Sequence, residues 1–337
     1  MQTTKGESLV PAGLDFFKHN ILKKNNLFGA SSKAKWARDL GLPRGGETLF
    51  FAGCGYQFLE EAESTLSLVL AMDKMSLPWE KTLGITTAMS SLGINLAEIY
   101  SRLTPHSHSS GEPLRCGVTV LRRLGVEVGS LYEEEPCCGG PLYYIGYQKD
   151  FAERAAATKR LFQSKGVKRV LSMVPSCTFT LRKLFPTFID GWNIEVRHFL
   201  EVVWEGIQKG MKFRLPQKVR VTYHDPCVMS RLLGLIEEPR NILRSIEGVE
   251  FVEVDYTKGA WSTCCGGGGG FEVIFPEVSH ILARNRVKEL LETVPAIIAT
   301  SCPGCLIQLS AGVKEMKARG VEVLDLAELL RRALPRQ

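Results

Sequence analysis

Nine of the ten cysteines fall into two copies of one arrangement, and each copy begins where a strand-like run stops. The second copy reads Cys227, then the pair Cys264–Cys265 ahead of five glycines, then Cys302-x-x-Cys305. The first reads Cys54, the pair Cys137–Cys138 before Gly139, and Cys177, with Thr180 at the place read for a last cysteine. Residues 47–52, 169–174, 218–223 and 296–300 are short apolar or β-rich runs that lead into Cys54, Cys177, Cys227 and Cys302. Helical patterns at 150–165, 278–293 and 303–319 lie between and after them. Strands alternating with helices of that length predict an α/β protein: two pseudo-twofold-related lobes, each a mainly parallel sheet flanked by helices. Ligands of open α/β sheets collect beyond the carboxyl ends of the strands, so metal sites are expected there.

The two copies are not equally long. From Cys138 to Cys177 is 39 positions and from Cys265 to Cys302 is 37, but 83 positions separate Cys54 from Cys137 against 37 between Cys227 and Cys264. The first copy therefore carries about 46 extra residues, placed within 57–115, with helices expected at 60–74 and 82–102. Its polar end, 106–111, reads as an exposed loop, in which His106 and His108 either bind metal or, on the simpler reading, are solvated. The expected division is an N-terminal arm or interface segment over 1–46 with short helices at 14–22 and 33–40. A first lobe over 47–210 carries the insert as an interface or lid, and a second lobe spans 211–337.

Thiolates are the natural ligands of iron–sulfur clusters and of zinc. Neighbouring thiolates such as Cys264 and Cys265 cannot easily both serve one tetrahedral ion, but they can bind different irons of a cluster. Gly266 and Gly267 let the backbone pack against a bulky inorganic core. Zinc takes four ligands and gives no reason for a fifth cysteine in the second copy. Cys116 lies in a helical pattern at 114–124 and reads as a buried free thiol. His224 either bonds near the metal, donates a proton to a substrate thiolate, or caps the strand end. With Cys264 and Cys265 it makes the catalytic candidate set. Asp225 before Pro226 reads as a turn former. Trp261 would shield a cluster or sit in the core. The glycine run is not a phosphate loop, since no Lys-Ser/Thr follows it.

The length of 337 residues and an apolar content of 45% allow a sizeable core, so the cysteines are not needed as staples. The first ten residues are polar and lack the apolar centre of a secretory signal, so the thiols are expected reduced and the chain cytoplasmic. No uninterrupted apolar stretch is long enough to span a bilayer. A net charge of +6, scattered along the chain without interleaved aromatics, argues against nucleic acid as a partner.

Cys, then Cys-Cys-Gly, then Cys-x-x-Cys, occurring twice, resembles the CCG (cysteine-rich) domain family. That family includes the catalytic B and D subunits of heterodisulfide reductase. The strings that carry the likeness are His224-Asp225-Pro226-Cys227, Cys264-Cys265-Gly266-Gly267 and Ser301-Cys302-Pro303-Gly304-Cys305. The resemblance implies a noncubane [4Fe–4S] cluster on Cys227, Cys264, Cys265, Cys302 and Cys305. For Cys54, Cys137, Cys138 and Cys177 it leaves open a second [4Fe–4S] cluster, a zinc ion or nothing stable. It implies a disulfide, or a thiol pair in reverse, as substrate. The alternatives are a non-catalytic electron carrier between a dehydrogenase and an acceptor such as a quinone, and a structural zinc protein. No ferredoxin-like CxxCxxC occurs, so partner subunits with ferredoxin-type clusters or flavin are expected. Such a partner could hold the chain at the inner face of a membrane.

Overall fold

The structure is a computed structural model and describes residues 10, 14–31, 33–75, 89 and 96–335. Two parallel sheets organise it. The first has the order β1-β2-β3, with β1 at Thr48–Phe51, β2 at Arg169–Ser172 and β3 at Glu195–His198. The second has the order β5-β4-β6-β7, with β4 at Phe213–Tyr223, β5 at Ile246–Phe251, β6 at Ile297–Thr300 and β7 at Glu322–Asp325. The α/β class, the parallel sheets and the two-lobed plan expected from the cysteine repeat are what the chain adopts. β2 and β6 are central strands, and their apolar residues are buried on both faces, as parallel sheets under helices require.

The pairing registers superimpose the lobes residue by residue. β1 pairs with β2 so that Phe50 faces Leu171, and β4 pairs with β6 so that Tyr223 faces Ala299. Matching these pairs sets Cys54 against Cys227 and Phe51 against His224. Counting on from the ends of β2 and β6 sets Val174 against Cys302 and Cys177 against Cys305. The helices agree, because Pro175 and Pro303 each open one at its first position. This corrects the sequence reading. The absent thiol of the first copy is at Val174, and Thr180 lies a turn further on. Sequence spacing misplaced the gap because it was counted between cysteines rather than from the strand ends.

Most expected helices are present: Asp15–Lys24, Leu59–Lys74, Glu112–Arg123, Gln148–Ser164, Pro276–Leu291 and Pro303–Glu315. Residues 33–40 form only a 3-10 turn, Lys35–Ala37, since Ala34 before it is left-handed (φ 63°). The helix expected to reach 319 ends at Glu315, with Lys317 left-handed at φ 51°. Of the helix expected over 82–102, Leu96–Ser101 is helical, while 82–88 and 90–95 lie outside the described residues.

The lobes meet along a tight seam. The helix Glu112–Arg123 of the first packs on Leu326–Arg332 of the second. A Cβ on Gly55 would come within 2.3 Å of Pro303 Cγ, so the turn after Cys54 lies directly on the turn between Cys302 and Cys305. Beside it the buried Tyr56 hydroxyl donates to Asp325 at the end of β7. The inserted helix Leu59–Lys74 crosses to Pro276–Leu291. The polar tract after it is pinned rather than free: His106 Nε2 lies 2.6 Å from the Ser101 carbonyl, and His108 Nε2 lies 2.8 Å from Ser310 Oγ of the second lobe. Ile21, Trp36, Ala37 and Leu42, from the segment before β1, are buried in the main core.

Candidate metal centres

In the second lobe three turns bring five sulfurs together. Cys227 follows β4, Cys264 and Cys265 close the loop after β5, and Cys302 and Cys305 follow β6. Cys265 Sγ and Cys305 Sγ are 3.3 Å apart. His224, Cys265 and Cys305 place their ligating atoms within 4.8 Å of one another, all buried. The Gly266 N–H donates to Cys264 Sγ at 3.3 Å. Gly266 takes φ +83°, and a Cβ there would stand 2.2 Å from the Ser279 carbonyl, so only glycine allows this close turn. Hydrogen bonding with Cys264 and Cys305, and then with His224, holds the Cys265 thiol well below the usual range. Burial, then the neighbouring Cys302 and Cys265, push Cys227 up. Five soft donors on three neighbouring strand-end turns, with Cys265 and Cys305 Sγ 3.3 Å apart, fit a thiophilic metal or an iron–sulfur core.

The expected turn former Asp225 does more than turn the chain. It is buried, accepts both guanidinium nitrogens of Arg240 at 2.8 and 2.9 Å, and accepts the Gly259 N–H at 2.8 Å. It thus ties the Cys227 turn to the loop that leads to Cys264. Arg240 also pairs with Glu253 at 2.8 Å. Trp261, expected at the cluster or in the core, is 84% exposed. Its 3-10 turn, Gly259–Trp261, points the indole outward while Arg231 binds the carbonyls of Ala260 and Ser262 beneath it.

The first lobe gathers Cys54, Cys137, Cys138 and Cys177. The neighbouring thiols of Cys138 and Cys54 hold Cys137 low, while Cys137 and Cys177 push Cys138 up. A Cβ on Gly53 would meet Cys177 Sγ at 2.8 Å and Val174 Cγ2 at 3.1 Å, so both flank the Cys54 turn. Val174 is an apolar filler where the second lobe has a thiol. Glu135 anchors this site as Asp225 anchors the other. It accepts the N–H groups of Ala52 and Gly53 at 3.0 Å, and burial pushes it up to about 7. Thr180 donates to the Ser176 carbonyl at 2.7 Å and is hydrogen-bonded to Tyr144. Cys116 stays apart: its neighbours are Glu112, Glu328 and Asp325, and burial pushes its thiol up.

The centres approach each other across the lobes. The helix Pro175–Phe179, which carries Cys177, packs on the π-helical turn Val228–Leu232 that follows Cys227. Tyr144 stands within electrostatic reach of Cys138, Cys177 and Cys227. Sequence reasoning missed Arg286, whose Nε donates to His224 Nδ1 at 3.0 Å. A lone arginine inside a helix gives no signal of its own. Only the burial rhythm of Ser279, Ala283, Arg286 and Leu290 marks it as inward-facing.

The cysteine-rich domain known as CCG matches residues 105–182 and 221–310. The chain belongs to this cysteine-rich domain family. The first matched stretch begins beyond Cys54, so the β1 turn of the first domain lies outside it. Over 220 residues the chain is 36% identical to the D subunit of the dihydromethanophenazine:CoB–CoM heterodisulfide reductase of Methanosarcina barkeri, covering 64% of this chain and 53% of that protein. It is 31% identical to the EtfAB:quinone oxidoreductase of Syntrophomonas wolfei, over 64% of this chain and 31% of that protein. It is 30% identical to the "Probable iron-sulfur-binding oxidoreductase FadF" of Bacillus subtilis, over 63% of this chain and 30% of that protein. The chain thus spans about half the length, or less, of these relatives. Among the described residues no helix is long and apolar enough to cross a membrane.

Proposed function

We propose that the two cysteine-rich domains form an iron–sulfur redox subunit of a larger complex, in which the second centre holds a noncubane [4Fe–4S] cluster. One observation carries this reading: the sulfurs of Cys265 and Cys305 and a ring nitrogen of His224 lie within 4.8 Å of one another on three strand-end turns, with Cys227, Cys264 and Cys302 beside them on the same turns. Bound there, the cluster supplies one-electron reduction at a site lined by Cys264 and Cys265. The acceptor is a disulfide or a similar group entering between the lobes. Its S–S bond breaks as two electrons and two protons are taken up, releasing two thiols. The electrons come from partner polypeptides with ferredoxin-type clusters or flavin, through which the chain would also reach a membrane. The protein's own residues hold and orient: Asp225 and Arg240 fix the Cys227 turn, and Gly266 permits the close turn after Cys265 against Ser279.

Iron and acid-labile sulfide content of anaerobically purified protein, with electron paramagnetic resonance, tests the cluster. Loss of the signal in Cys227→Ser is expected, and zinc without iron or sulfide would refute the reading. Disulfide reduction with an artificial donor tests the substrate, with turnover expected to vanish in Cys265→Ser. A second reading, an electron carrier without disulfide chemistry, is favoured by Val174, which leaves the first site one thiol short. Full cluster content with no turnover on any disulfide would select it.

A further inference from the structure

We infer that Arg286, acting through His224, raises the reduction potential of the second centre. This rests on the reading that the centre holds an iron–sulfur cluster. A guanidinium nitrogen only donates, so the 3.0 Å bond from Arg286 Nε makes His224 Nδ1 an acceptor and places the ring proton on Nε2. A ring nitrogen of His224 lies within 4.8 Å of the sulfurs of Cys265 and Cys305, and the Nε2 proton is the one the ring has left to offer them. The imidazole is further fixed from its backbone, whose N–H donates to the Ala299 carbonyl at 2.9 Å. The three groups therefore stand in line: cation, neutral ring, sulfur.

The arginine is fully buried, and its charge is incompletely answered. Nη1 reaches Thr257 at 3.0 Å and Glu289 at 2.7 Å, and that carboxylate also accepts from Thr263. Nη2 has no hydrogen-bond partner although it is buried. In the rigid guanidinium fork its protons lie on the same side as the Nε–H that points at His224. A positive charge and a sulfur-directed hydrogen bond both favour the state that has gained an electron, and both are levers on iron–sulfur potentials.

The first lobe serves as an internal comparison. Register places Phe51 at the position of His224. The buried sequence Phe151, Ala155, Thr158, Phe162 matches Ser279, Ala283, Arg286, Leu290, so Thr158 stands at the position of Arg286. Neither the ring donor nor the cation exists there. Arg286 and His224 are thus not needed to build this fold, and they occur only behind the five-cysteine site.

The test is a dye-mediated redox titration of anaerobic wild-type protein, Arg286→Gln, Arg286→Lys, His224→Phe and the double variant Arg286→Gln/His224→Phe, each read by electron paramagnetic resonance. Arg286→Gln and His224→Phe should each lower the reduction equilibrium constant about tenfold, which is about 59 mV for a one-electron couple. The double variant should fall by less than the sum of the two single changes, since part of the arginine's effect passes through the ring. Arg286→Lys keeps the charge without the Nε–H and should fall in between. Iron and sulfide contents accompany every sample. Wild-type protein without iron and sulfide would sink the cluster reading itself. Wild-type protein with a full cluster and unchanged potentials in the variants that retain it would overturn the inference alone. If Arg286→Gln loses its cluster, Arg286→Lys carries the test, and a wild-type potential there overturns the inference.

Discussion

Replacing Asp325 by Asn removes an ionisable group from the seam between the domains while leaving an oxygen and a polar hydrogen in its place. Asp325 is buried at the end of β7, accepts the Ala327 N–H at 2.8 Å and takes the hydroxyl of Tyr56 from the opposite domain. Burial is the largest influence on it and pushes it from 3.8 up to about 7, with the bonds from Tyr56 and Ala327 working against that rise. Roughly three units at about 1.4 kcal/mol each set a ceiling of about 4 kcal/mol. The sign follows from linkage. The native state holds the proton more tightly than the unfolded chain, so this stabilisation is full below about pH 4 and is lost as pH rises through about 7. About 2 kcal/mol of it falls between about pH 5.5 and 8. Urea unfolding of wild-type and Asp325→Asn protein in matched anaerobic buffers at those two pH values measures it. The wild type should lose about 2 kcal/mol more than the variant over that interval. Glu135, pushed the same way, is present in both proteins and cancels. Equal pH slopes in the two proteins would mean that Asp325 is already ionised when folded, and the argument would fail.

Other outcomes follow from the packing and the sites. Gly55→Ala drives a methyl to 2.3 Å from Pro303 Cγ and should cost about 1–3 kcal/mol by thermal melting, because the domains must separate to admit it. Arg240→Leu strands the buried Asp225 carboxylate and should cost about 3–5 kcal/mol in urea midpoint analysis, with loss of metal from the second centre before the first. Val174→Cys restores a thiol opposite Cys302 and should raise the iron content of the first centre relative to wild type, whereas Thr180→Cys should not. Cys116→Ser, away from both thiol groups, should leave iron and sulfide content unchanged.

The sequence made the layout of the centres legible because cysteines at strand ends are a repeated signal with few rival explanations. β1, β2, β4 and β6 were visible as buried apolar runs. β3, β5 and β7 were not, since Glu195, Arg197, Glu247, Glu250 and Glu322 interrupt them and pair with arginine or glutamate on the neighbouring strand or the following helix. The position of the missing thiol was misread for a related reason. Spacing between cysteines absorbs small differences in loop length, and only the hydrogen-bond register ties Cys177 to Cys305. Trp261 shows the opposite failure: its size suggested burial, but a 3-10 turn held by Arg231 faces it outward. Asp225, His224 and Arg286 lie far apart in sequence from the groups they bind, so their roles become readable only once the helices are placed.

The helix pair at the seam has a consequence for how the protein is made. Glu112–Arg123 leaves the ribosome about 200 residues before its partner Leu326–Arg332. At typical synthesis rates of about 5–20 residues per second, that side of the helix waits about 10–40 s for its cover. A nascent chain halted near residue 320 should therefore be cut by protease along that helix, while a chain that includes Leu326–Arg332 resists. The seam also joins the Cys54 turn to the Cys302–Cys305 turn, so both groups of thiols gain their final surroundings only when Leu326–Arg332 has docked on Glu112–Arg123.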